Sequence, residues 1–126
     1  MDVLSGIRAM IKFKLIMVFV TYEMTDLVLK AARAAGATGA TIIKNARGQG
    51  LERRTMFLGL EYFAPRDVIL ILVESRRSEA VMRSVTKAAA LDERPDTGLA
   101  LELDVSRALG LTEHIKALAA EMPPEK

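Results

Sequence analysis

The run Asp67–Val73, DVILILV, presents no polar face after its first residue. Side chains alternate across a strand, so a run that is apolar at every position needs cover on both sides. A second such run is Lys12–Val20, KFKLIMVFV, with Phe13, Leu15, Met17 and Phe19 on one face. Its other face opens with Lys12 and Lys14 and becomes apolar at Ile16, Val18 and Val20. Two strands of this kind require a layered fold in which a sheet is sandwiched.

A helical pattern follows each run. In TYEMTDLVLKAARAAG, Met24, Leu27, Val28, Ala31 and Ala35 recur at helical spacing. Thr21 is the expected N-cap and Gly36 the expected stop. Ser75 is the expected cap of a second helix through Ala90, with Val81, Val85, Ala88 and Ala89 on its inner stripe. Two further strands are read at Ala40–Ala46 (ATIIKNA) and Leu99–Val105 (LALELDV). In the latter, Leu99, Leu101, Leu103 and Val105 are expected to face in, and Glu102 and Asp104 out. The stretch LDERPDTG, punctuated by Pro95 and Gly98, is a turn. Thr112–Met122 forms a last short helix with Ile115, Leu118, Ala119 and Met122 on one side.

The order is therefore strand–helix–strand, a long connection, strand–helix–strand and a tail. That is the ferredoxin-like α+β pattern, βαββαβ, an antiparallel four-stranded sheet with two helices on one face. The other face would expose a large apolar patch in a monomer, so it is expected to pack in a closed homo-oligomer. The alternative is that the tail folds back over it, although one short helix covers only part of a sheet.

The chain has 126 residues, 51% hydrophobic and 27% charged, enough apolar material for one domain. Residues 1–11 are expected to be an N-terminal arm, 12–122 the domain and 123–126 a frayed tail. Leu15–Val20 is too short to span a bilayer and no cleavage site follows it, so the expected location is cytoplasmic. A net charge of +2 does not point to nucleic acid. The absence of cysteine rules out disulfides, thiolate metal sites and a thiol nucleophile.

Catalysis finds little support. The single histidine, His114, is read as a solvated tail residue, and no Ser-His-Asp set is suggested. Glu61, Asp67, Asp92, Glu93 and Asp96 are read as solvated loop or strand-end carboxylates, and no metal site is expected. GATGA (Gly36–Ala40) lies between a helix and a strand, the wrong order for a dinucleotide turn, and no GxxxxGK[ST] occurs. The third strand lacks the aromatics on which an RNA-binding sheet stacks bases. A hydrolase of acylphosphatase type would need an arginine cradle after the first strand, where TYEM stands.

What remains is Asn45–Arg66, NARGQGLERRTMFLGLEYFAPR. Arg47, Gly48, Gln49 and Gly50 open it with backbone amides, a guanidinium and a side-chain amide. Arg53, Arg54 and Arg66 add charge against Glu52, Glu61 and Asp67. Such a segment can wrap a phosphate or carboxylate, or dock on a partner. Long connections inside compact domains are uncommon unless functional, and TMFLGLEYF is too apolar for an idle loop.

Four features taken together resemble the P-II signal-transduction family, and its divergent P-II-like branch in particular. They are G-x-x-G-x-T at Gly36–Thr41, the glycine and glutamine that open the long connection, Pro65–Arg66 leading into the third strand, and PDTG before the fourth. The resemblance covers Lys12–Val105. It implies a homotrimer with the bare sheet faces inward, and adenine nucleotide or another small anion bound in clefts between subunits. It also implies a mobile T-loop that presses on a target protein, such as a membrane transporter, in regulation of nitrogen or related metabolism. Carried onto this chain, the nucleotide-binding residues are Thr41, Gly48, Gln49, Arg66, Asp96, Thr97 and Gly98. The partner-binding loop is Arg47, Gly50, Arg53, Arg54 and Phe57. The departures are a shorter T-loop without the tyrosine at its tip, a B-loop (DERPDTGLALEL) with one glycine and no following lysine, and SRALGL where paired arginines are usual. Each missing charge-assisted contact to a phosphate removes roughly 1.5–3 kcal/mol, which disfavours a triphosphate, and 2-oxoglutarate with magnesium, as bound by typical members, is not expected either. The reading is a regulator and not an enzyme, without a resident cofactor. The alternative is a ligand-independent ferredoxin-like protein-interaction module.

Overall fold

The computed structural model describes residues 11–47, 56–57, 60–61, 65–93 and 98–121. Its strands are β1 (Phe13–Thr21), β2 (Thr41–Arg47), β3 (Met56–Phe57), β4 (Leu60–Glu61), β5 (Pro65–Glu74) and β6 (Gly98–Asp104). Its helices are α1 (Thr25–Ala34), α2 (Ser75–Ala88) and α3 (Thr112–Glu121), with short 3-10 turns at Tyr22–Met24 and Leu91–Glu93. The main sheet runs β2-β5-β1-β6 with every described pairing antiparallel. This is the expected ferredoxin-like arrangement. Within Asn45–Arg66, β3 and β4 pair as a separate two-stranded ribbon.

The alternation of β1 and β5 explains the layers. Ile16, Val18 and Val20 of β1 and Ile69, Ile71 and Val73 of β5 turn to the helices. There they meet Val28 and Ala32 of α1, Val81 and Val85 of α2 and Ala89 just past its end, nearly all fully buried. Fully burying a side chain of this size contributes about 1.5–3 kcal/mol each, so this layer is the main source of cohesion.

Several local expectations are corrected. The first α-helix starts at Thr25 with Met24 as its cap, not directly after Thr21. Thr21 is extended and makes no side-chain cap bond, and the 3-10 turn intervenes. The buried stripe is Thr25, Val28 and Ala32, and Leu27, which flanks Val28 on the side away from the sheet, is exposed. The cap of α2 is Glu74, not Ser75. The Glu74 carboxylate accepts the Arg76 backbone N–H at 3.0 Å and its Nε–H at 2.8 Å. A carboxylate before the first turn satisfies an otherwise orphaned donor and opposes the helix dipole.

The opposite face of the sheet is an apolar grid. Leu15 stands between Leu72 and Leu103, Met17 between Leu70 and Leu101, and Phe19 between Val68 and Leu99. Thr41 and Ile43 extend the last two rows onto β2. The β6 leucines therefore face this open side, not the helix-packed core, because their register partners do. Leu101 and Leu103 remain 42% and 41% exposed. One end of the face is covered by α3, where Ile11, Phe13 and Ile115 are buried together against Leu72, Val105 and Leu111. His114 is not a solvated tail residue. It is half-buried, with its ring centroid 6.0 Å from that of Phe13. On the helix-bearing side, Lys14 donates to the Asp104 carboxylate across β1 and β6, and this bond holds its ammonium above the usual lysine range.

Candidate functional site

The sheet ends abruptly on one side, where β1 and β2 finish and β5 and β6 begin. Arg66 lies opposite Thr21 on β1 and Ala46 on β2. One step along, Val20 stands between Asp67 and Gly98, and Arg47 lies opposite Pro65. Three of the expected residues, Arg47, Arg66 and Gly98, thus share one end of the sheet. Thr41 does not join them. It lies opposite Leu70, four residues along β5 from Arg66, roughly 13 Å at the usual strand rise. Gly48, Gln49, Gly50, Arg53, Arg54, Asp96 and Thr97 lie outside the described residues, and Phe57 falls on β3.

The local geometry has identifiable causes. Between Ile43 and Ala46 the β2–β5 register shifts, because β2 carries one extra residue there. Asn45 takes φ 59, a left-handed conformation that asparagine tolerates better than most residues. This β-bulge resets the alternation. By register, Arg66 stands on the open side of the sheet and Arg47, paired with Pro65, on the helix-bearing side. Arg66 is only 2% exposed, and its Nη1 donates to the Pro65 carbonyl at 3.5 Å. Gly98 adopts φ +149, and a Cβ there would stand 2.3 Å from the Phe19 carbonyl oxygen and 2.8 Å from Val20 Cγ1. The glycine is required by close approach of β6 to β1, in addition to its role at the turn.

Asp67 is not a solvated carboxylate. It is buried, and Thr25 Oγ1 donates to its Oδ2 at 2.6 Å. This bond pins the first turn of α1 to the first residues of β5, beside Arg66. The partner lies 42 residues away in the chain, so the sequence offers one signal only. A carboxylate heading a run that is buried on both faces has to find a donor.

The open face also carries a cavity of about 450 Å³. Its floor is Leu15, Leu70 and Leu72, one wall is Thr38–Thr41, and Leu111 and His114 form the other. Thr41 therefore belongs to this cavity, and neither Arg66 nor Gly98 lines it. A second cavity of about 410 Å³ lies between α2 and the Leu91–Glu93 turn, bordered by Met82, Arg83 and Lys87, and holds none of the expected residues. Among the described residues no group of three or more histidines and carboxylates is placed to hold a metal ion. No helix among them is long and apolar enough to cross a membrane.

The family described as nitrogen regulatory protein P-II matches residues 13–109. No curated protein matches the chain. Among the solved structures that share its fold are two of nucleotide- or citrate-bound proteins. CPII from Thiomonas intermedia K12, bound to ADP, AMP and acetate, is 15% identical, with a TM-score of 0.61 over 80% of this chain and 93% of its own. PII from Arabidopsis thaliana, bound to citrate, is 23% identical, with a TM-score of 0.58 over 75% of this chain and 78% of its own.

Proposed function

Because the chain belongs to the nitrogen regulatory protein P-II family, we propose that it is a small-molecule-sensing regulator whose ligand is an adenine nucleotide bound between the subunits of a homotrimer. Residues 45–66 carry the signal to a target protein. The observation that carries this reading is the division of the expected site within one subunit. Arg66 and Gly98 lie at one end of the sheet and Thr41 lies roughly 13 Å along it. One small ligand touches both sets most simply where the Thr41 of one subunit meets the sheet end of another. The ligands held by the two similar structures, nucleotides in one and a carboxylate in the other, support an anionic metabolite.

Burial of Arg66 sets a condition on the mechanism. A guanidinium 2% exposed reaches a phosphate only after neighbouring chain moves aside. Ligand binding would then select a conformer with Arg66 uncovered, and the conformer of segment 45–66 changes with it. A thermal-shift series with AMP, ADP, ATP, cyclic nucleotides and bicarbonate tests the proposal. A rise in midpoint with at least one adenine nucleotide is expected, and a folded oligomer that responds to none rejects it. The same burial favours a second reading, a ligand-independent interaction module in which Arg66 is structural. It predicts partner affinity that no nucleotide alters.

A further inference from the structure

The cavity over the open face has a wall that lies outside the family match. Residues 13–109 match the family, whereas Leu111 and His114 come from α3 and the residue before it. We propose that His114 is a ligand-contacting, specificity-determining residue that holds the planar heteroaromatic ring of the nucleotide against the sheet. The inference rests on the adenine-nucleotide reading above and assigns the ring end of that ligand to a side chain.

The argument is one of chemistry and shape. The floor is a flat sheet surface of Leu15, Leu70 and Leu72. An ionised group placed over three leucines loses hydration without compensation, whereas an uncharged aromatic ring gains apolar contact there. Ring-edge nitrogens then need polar partners at the rim. Thr38–Thr41 offers two hydroxyls and backbone groups on one side, and His114 offers an imidazole on the other. A neutral imidazole carries one donor and one acceptor and also stacks on aromatic rings. The imidazole is steadied by Phe13, at 6.0 Å between centroids and 31° between planes, and Phe13 is locked by Ile11 and Ile115. The volume, about 450 Å³, falls within the roughly 300–1,000 Å³ of small-molecule sites.

The test uses the intact chain, in which His114 is the one histidine and its imidazole signals are unambiguous by NMR. AMP, adenosine and ribose 5-phosphate are titrated separately. AMP and adenosine are expected to move the His114 signals, and ribose 5-phosphate to leave them in place. By calorimetry, H114A should weaken AMP roughly tenfold, the scale of one lost polar contact, with unchanged circular dichroism. H114F should retain part of the affinity through packing on Phe13. AMP bound with unmoved His114 signals and full affinity in H114A overturns the inference and leaves the nucleotide reading intact. Signals moved equally by ribose 5-phosphate overturn the assignment of the ring. Absence of any nucleotide binding overturns both.

Discussion

At the scale of single residues, the site region is built from conformational requirements and one buried polar pair. Substituting Gly98→Ala drives a methyl group into the Phe19 carbonyl and should cost about 3 kcal/mol or more in denaturant unfolding. Thr25→Val removes the donor from the buried Asp67 carboxylate and should cost about 1–3 kcal/mol. A double-mutant cycle with Asp67→Asn should show that the two changes are not additive, since the residues are in contact. These two positions were unequally legible. PDTG marked Gly98 as a turn residue, but its contact with Phe19 depends on strand pairing that no local pattern states. Asp67 looked like an ordinary strand-end carboxylate, because its partner is distant in the chain. Leu27 misled for a related reason. Helical spacing gives the period of a stripe, and which flank of Val28 is buried depends on how the helix lies on the sheet.

At the scale of elements, period alone identifies the four main strands and the three α-helices of the described residues, with ends displaced by a few residues. DVILILV and the apolar half of KFKLIMVFV suit no role but a covered strand in a chain this short. The 3-10 turn at Tyr22–Met24 was illegible, since YEM suits an α-helix equally well. The packing of α3 was foreseen only as an alternative, and the structure adopts it in part. Ile115 is 2% exposed and holds Ile11 and Phe13 in a second small core. Ile115→Ala should cost about 2–5 kcal/mol and should detach α3 before the main sheet unfolds. Hydrogen exchange would register this as early loss of protection at Ile115, whose N–H donates to the Leu111 carbonyl at 2.8 Å. Protection lost at the same rate across α3 and β5 would contradict an independently released helix.

At the scale of the whole molecule, the uncovered part of the leucine grid is the strongest constraint. Leu101, Leu103 and Ile43 are each more than two-fifths exposed, on one continuous apolar face. Light scattering should return three times 13.8 kDa at micromolar concentration. Leu101→Glu should give monomers with a retained circular dichroism spectrum, because the residue faces away from the helix-packed core. A wild-type monomer would remove the trimer from the reading. This face was legible in advance, since two strands apolar on both sides cannot be covered by two helices. The proposed binding site was less so, because its parts come from separate stretches of the sheet and from a tail helix. The extra residue in β2 has a consequence on this scale too. It works as a phase shifter in the strand, turning Arg47 away from the side on which Thr41 lies. Removing Asn45 would close the bulge and restore strict alternation, with Ala46 still opposite Arg66 and Arg47 still opposite Pro65 on the helix-bearing side. The surplus residue is thus taken up within β2 itself, and the pairing of β5 with β1 runs unbroken past it.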